Sequence, residues 1–205
     1  LHSYLAGESL GGALADVLCG VAEPGGRLPE TFPLRLSDTP SYMSFPAYPT
    51  VMPNVYYGED IFVGYRWYEK RQIPVLFPFG SGLSYTTFAF SDAAMGQPSY
   101  AADEPVTATV SVKNTGSRRG SQVVQLYVRK PDSGYVVPEK ELKTFAKVTL
   151  EPGEEQTVTL SVAAEDLGFY DETRGRFVRE GGRYEVILAT GSTETDVIER
   201  LSFDL

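Results

Sequence analysis

The chain has 205 residues, with 42% apolar, 12% aromatic and 22% charged side chains, too apolar for a disordered polymer and enough for one ordinary domain or two small ones. A formal charge of -9 sets it against phosphate backbones, so nucleic acid is not expected as a partner. No run approaches the roughly eighteen consecutive apolar residues of a membrane-spanning helix, and one histidine (His2) with one cysteine (Cys19) supplies neither a disulfide nor a metal ligand set.

The N-terminus, Leu1-His2-Ser3-Tyr4, lacks the basic start and apolar core of a signal peptide and has no initiator Met, so the chain is expected to begin inside a longer protein. The first element is a helix over Gly11 to Leu18, where Leu10, Ala13, Leu14, Val17 and Leu18 share one face and Gly20 can stop it. Pro24-Gly25-Gly26 turns the chain into an extended segment, Arg27 to Pro33. Nine of the 14 prolines precede residue 93, so the first part is expected to be mostly irregular after this helix. Its aromatic-rich stretch, residues 56–90, is expected to pack against a neighbouring surface.

Composition shifts near residue 92, and Ser91 to Pro105 reads as small, polar linker. The expected division is 1–92, a linker over 93–105, and an all-β unit over 106–205. In that unit Val106, Ala108, Val110 and Val112 alternate with polar residues, as do Val124, Leu126 and Val128 with Gln125, Tyr127 and Arg129. Further segments at Lys143 to Leu150, Val158 to Val162, Phe177 to Arg179, Tyr184 to Leu188 and Leu201 to Leu205 bring the count to about seven strands, the pattern of a β-sandwich. The missing Cys pair favours the fibronectin type III kind over the immunoglobulin kind.

Gly7-Glu8-Ser9-Leu10-Gly11 fits the G-x-S-x-G nucleophile elbow, but that fold takes its base from a histidine after the serine, and none follows. The segment therefore reads as a glycine-rich helix entry with Ser9 near the N-cap. Glycoside hydrolysis needs two carboxyls flanking one bond. Glu59-Asp60 is the acidic pair among aromatics, yet adjacent residues point in different directions, and an ion pair with Arg66 is the simpler expectation. Tyr56, Tyr57 and Trp67 could stack on sugar rings, with core packing the plainer role. No phosphate loop follows Gly11-Gly12 or Gly25-Gly26.

Taken together, several motifs resemble the late part of glycoside hydrolase family 3. These are Gly7 to Gly20, the run Pro24-Gly25-Gly26-Arg27-Leu28-Pro29-Glu30-Thr31-Phe32-Pro33, the segment Tyr57 to Tyr68, and Phe77-Pro78-Phe79-Gly80-Ser81-Gly82-Leu83-Ser84-Tyr85-Thr86-Thr87-Phe88. Pro138 to Lys143 and Leu150 to Glu154 are similar to that family's fibronectin type III-like domain. Glu59-Asp60 with Tyr68-Glu69-Lys70 resembles a subgroup that includes fungal enzymes.

The resemblance implies a mainly β chain: the C-terminal tail of an α/β sandwich domain, one helix plus extended aromatic-rich segments, then a fibronectin type III-like β-sandwich. It implies a β-glucosidase-type retaining hydrolase of terminal non-reducing β-D-glucosyl residues, with no cofactor and no metal. Its partners are then the upstream catalytic domains of the same protein and, through them, a β-glucoside. The family's aspartate nucleophile and glutamate acid/base have no counterpart here, so no catalytic residue is assigned. Tyr57 and Glu59 are the candidate substrate-binding residues. The alternative is a stand-alone carbohydrate- or protein-binding sandwich, suggested by Tyr100, Tyr127, Tyr135 and Tyr170 as potential surface rings. The unpaired Cys19 and the absence of glycosylation sequons favour the cytoplasm over secretion.

Overall fold

The computed structural model describes residues 1–45 and 56–205. Helix α1, Leu10–Leu18, starts with Ser9 at the N-cap, although the Ser9 side chain caps no N–H group. It stops at Gly20, which takes a φ of +72° that a side chain would strain. The Gly20 N–H donates to Val17 O at 3.0 Å and the Val21 N–H to Asp16 O at 2.8 Å, the paired bonds of a Schellman stop. The apolar face of α1 has no buried residue among the described ones.

The extended segment after the Pro24 turn contributes β1, Phe32–Pro33, which later pairs antiparallel with β2, Val75–Phe77. Between them lies a second helix, α2, Tyr65–Arg71. The chain after α1 is mostly irregular among the described residues, as its prolines predict, and α2 is a short helix that the sequence pattern did not reveal. Seven residues are too few to show a helical repeat, and Tyr68 is the one α2 residue fully inside. Its C-cap, Gln72, takes a left-handed conformation and turns the chain back into β2.

The remainder is a sandwich of a three-stranded and a four-stranded sheet. The strands are β3 (Phe88–Met95), β4 (Val106–Asn114), β5 (Gly120–Arg129), β6 (Glu141–Leu150), β7 (Glu155–Val162), β8 (Phe169–Asp171), β9 (Arg176–Val178), β10 (Arg183–Ala189) and β11 (Val197–Asp204). The sheets run β3-β4-β7 and β11-β10-β5-β6, with β8-β9 a separate hairpin. Every neighbouring pair of strands is antiparallel. Register sets Val110 opposite Val158 and Val186 opposite Val128, so each inner face is a row of β-branched and Leu side chains. Val106, Ala108, Val110, Val112, Leu126 and Leu188 are fully buried between the sheets.

The stretch expected to be a linker, 93–105, is built into this body. Ala93–Met95 belong to β3, whose partner is β4. Tyr100 is buried and its N–H donates to Asp204 O at 3.0 Å. The seventh sandwich strand is thus β3, ahead of residue 106.

A second departure lies on the outer face of the four-stranded sheet. Period-two patterning predicts solvent for Gln125 and Tyr127, but Gln125 is 4% and Tyr127 0% exposed. Tyr65 of α2 and Phe79 pack on Tyr127, Ile187 and Ala189 in a second core, and Gln125 Oε1 accepts from the Tyr127 hydroxyl at 2.6 Å beside Gly80. Among the described residues no helix is long and apolar enough to cross a membrane.

Candidate functional site

A tight turn after the aromatic pair Tyr56-Tyr57 presents the candidate residues. The Phe62 N–H donates to Glu59 O at 2.9 Å, and Asp60 sits at a φ of +52°. Tyr57 is 81% exposed and Tyr56 also stands out. Both line a hollow of about 300 Å³ together with Glu59, Ser41, Ser44 and Phe45. The Glu59 Oε2 atom is buried there and accepts no hydrogen bond from the described residues. In the described chain Tyr56 and Tyr57 stand exposed rather than in a core, while Trp67 is half-buried and donates its indole N–H to Asp38 O at 3.0 Å.

The adjacent acids part company as backbone geometry requires. Glu59 faces this hollow and Asp60 lines a different cleft, beside the sandwich. Arg66, the expected partner of the acidic pair, lies 3.5 Å from Glu141 instead. His2 packs edge-on against Tyr4 and Phe32, with ring centroids 4.0 and 5.2 Å away. Among the described residues no cluster of three or more His, Cys, Asp or Glu could hold a metal ion.

Many apolar side chains of the first half stand exposed, among them Leu1, Leu5, Leu18, Leu36, Met43 and Phe45, as well as Leu76, Phe77 and Leu83. Patches of this kind mark a surface made for another surface.

Comparison with known proteins accounts for both halves. The profile described as Glycosyl hydrolase family 3 C-terminal domain matches residues 1–85, and the one described as Fibronectin type III-like domain matches residues 122–192. Residues 1–85 carry the C-terminal domain of glycoside hydrolase family 3. Thermostable beta-glucosidase B of Acetivibrio thermocellus is 43% identical over 194 residues, covering 95% of this chain and 25% of the relative. The structure of beta-glucosidase 3B from Thermotoga neapolitana in complex with alpha-D-glucose superposes with a TM-score of 0.86 and 37% identity, over 96% of this chain and 26% of that one. The GH3 beta-glucosidase of Bifidobacterium adolescentis superposes with a TM-score of 0.91 and 33% identity, over 100% of this chain and 29% of that one. The chain thus spans about a quarter of the length of the relatives it matches.

The family 3 motifs prove to be joints between the two halves of the chain. Arg27, from the Pro-x-Gly-Arg-Leu-Pro run, donates to Gln122 Oε1 at 2.9 Å and Ser121 O at 3.3 Å on β5, while burial pulls its pKa down. Glu23 accepts from Ser84 Oγ at 2.6 Å and from the Ser121 N–H at 3.3 Å. Gly80, from the Phe-Pro-Phe-Gly run, has a φ of +84°, and a Cβ there would lie 2.7 Å from Gly191 Cα, so only glycine lets the two backbones meet. Beside it the Ser192 N–H donates to Phe79 O at 3.0 Å.

Around Tyr127 the family 3 joint becomes polar. Lys140, almost fully buried, lies 2.9 Å from Glu69 Oε1, donates to Ser192 O at 2.7 Å and sits over the Tyr127 ring. The Lys140–Glu69 contact is one of charge, since neither Glu69 oxygen has a hydrogen bond of good geometry. Burial pushes the Glu69 carboxyl up, and Lys140 opposes this. Burial, helped by Tyr65 and nearby carboxylates, pushes the Tyr127 phenol up as well. The Leu142 N–H donates to the Tyr65 hydroxyl at 2.8 Å, tying α2 to β6. Sequence reading found the motifs but not these partners, which lie far off along the chain.

Proposed function

We propose that this chain completes and braces the catalytic body of a retaining β-glucosidase that releases terminal non-reducing β-D-glucosyl residues. In this reading residues 1–87 are the tail of an α/β sandwich domain, the fibronectin type III-like sandwich begins at Phe88, and both catalytic carboxyls come from chain outside these 205 residues. The observation that carries it is the unpartnered apolar surface of the first half, where α1 buries no residue at all. A helix of this kind is stabilised by covering its apolar face. The alpha-D-glucose in complex with the Thermotoga neapolitana enzyme and the beta-glucosidase names of the relatives support the substrate class.

Tyr57 and Glu59 are placed at the substrate in this reading, because an exposed ring and an unsatisfied carboxylate oxygen beside it suit an apolar sugar face and a sugar hydroxyl. The parent protein should hydrolyse an aryl β-glucoside and the 205-residue chain alone should not; turnover by the purified chain would refute the assignment of the carboxyls. Tyr57→Ala in the parent should raise KM by about tenfold, the loss of one stacking contact. An unchanged KM removes Tyr57 from the substrate.

A further inference from the structure

A second cleft, of about 560 Å³, lies between the β5–β6 loop, the β8–β9 hairpin and the Asp60-Ile61 turn. We propose that it is a binding site for a neutral saccharide. Its size falls in the range of about 300–1,000 Å³ typical of small-molecule sites.

The walls are held without a ligand. The Tyr135 ring packs edge-on against Phe169 at 4.6 Å, and its hydroxyl donates to Asp171 Oδ2 at 3.0 Å. Glu180 accepts from Ser133 Oγ at 2.6 Å and the Gly134 N–H at 2.8 Å, which fastens the loop that carries Tyr135. A site fixed in advance spends little binding energy on ordering. Tyr135, Tyr170 and Val136 remain partly or largely exposed at its mouth, offering apolar faces for C–H-rich sugar rings.

Charge narrows the ligand class. Carboxylates of Asp60, Glu141, Asp171, Glu172 and Glu180 and the ammonium groups of Lys130 and Lys143 line the same cleft, with Lys143 3.0 Å from Glu141 and Asp171 3.4 Å from Arg174. An anion would meet the surplus of carboxylates, and the Lys130 ammonium stands against a cation. A polyhydroxyl neutral ligand can use both, as donor to the first and acceptor from the second. Tyr100 and Tyr127, the other rings suggested as surface by sequence, are buried and take no part.

The test is ligand-observed NMR with titration calorimetry on the 205-residue chain, using cellotriose and laminaritriose, with choline and benzoate as cationic and anionic controls. Because binding is read without turnover, the result is separate from whether the parent cleaves glucosides. Saccharide binding that weakens by about tenfold in Tyr170→Ala or in Val136→Arg supports the site. Val136 is 76% exposed, so its replacement keeps the test open should Tyr170→Ala unfold. No saccharide binding, binding unchanged by both variants, or tighter binding of choline or benzoate overturns the proposal.

Discussion

Asn114 shows how much one buried polar residue can hold. It is fully buried, and its amide donates to Arg118 O at 2.7 Å and Leu150 O at 2.9 Å. Its carbonyl accepts from Thr86 Oγ1 at 2.6 Å and the Gly116 N–H at 3.1 Å. All its bonding capacity is used, joining the first half to β4 and the end of β6. Asn114→Leu would strand these partners, and urea denaturation should show a loss of about 2–4 kcal/mol. A loss below about 1 kcal/mol would mean that the neighbours find other partners. Glu69 gives a pH-dependent counterpart. Its carboxyl is raised in the folded chain, so the folded state holds the proton more tightly than the unfolded one. Its contribution is therefore fully present below the ordinary glutamate value and is lost as pH climbs through the raised one. The stability difference between wild type and Glu69→Gln should drift against the wild type across that rise and be flat on either side. A difference that stays independent of pH from the ordinary glutamate value upward would show that Lys140 cancels the effect of burial.

Elements were legible where one rule acted alone. β4 alternates Val and Ala with Thr, Ser and Lys, and a strand with one face in a core must look like that. β3 was hidden because Asp92 takes a positive φ and the pairing with β4 shifts between Ser91 and Ala94. A bulge inserts a residue and breaks period two, so the segment reads as small and polar. β5 misled for another reason: its outward Tyr127 is covered by Tyr65 and Phe79 and its Gln125 lies against Gly80, and no local pattern announces so distant a cover. The candidate hollow was legible only as residue types, an acid among tyrosines. The unsatisfied Glu59 oxygen emerged from packing against the turn. The hidden strand has a consequence. A fragment of residues 86–205 should unfold cooperatively in urea, whereas 106–205 should not, since β4 loses its edge partner and Phe88 and Phe90 leave the core. The longer fragment should still fall short of the whole chain by about 2–4 kcal/mol, the scale of uncovering Tyr127 and Ile187. Equal midpoints for the two fragments would make β3 dispensable.

At the scale of the molecule the two halves differ in what they leave bare. The sandwich closes its own core, and its exposed rings are scattered, such as Tyr170 against Phe177 on the β8–β9 hairpin. The first half is anchored to the sandwich on one side and shows apolar side chains on the other, with Met43 at 92% exposure. If that face docks on the rest of a larger enzyme, oxidation should report it, because an exposed thioether converts readily to the sulfoxide. Hydroxyl-radical treatment should oxidise Met43 quickly in the 205-residue chain and slowly in the parent protein. Phe177, 73% exposed on the β8–β9 hairpin, should react alike in both and serve as the internal control. Equal oxidation of Met43 in the two settings would leave the apolar face uncovered in the enzyme, and the bracing role would then have to rest on the sandwich alone.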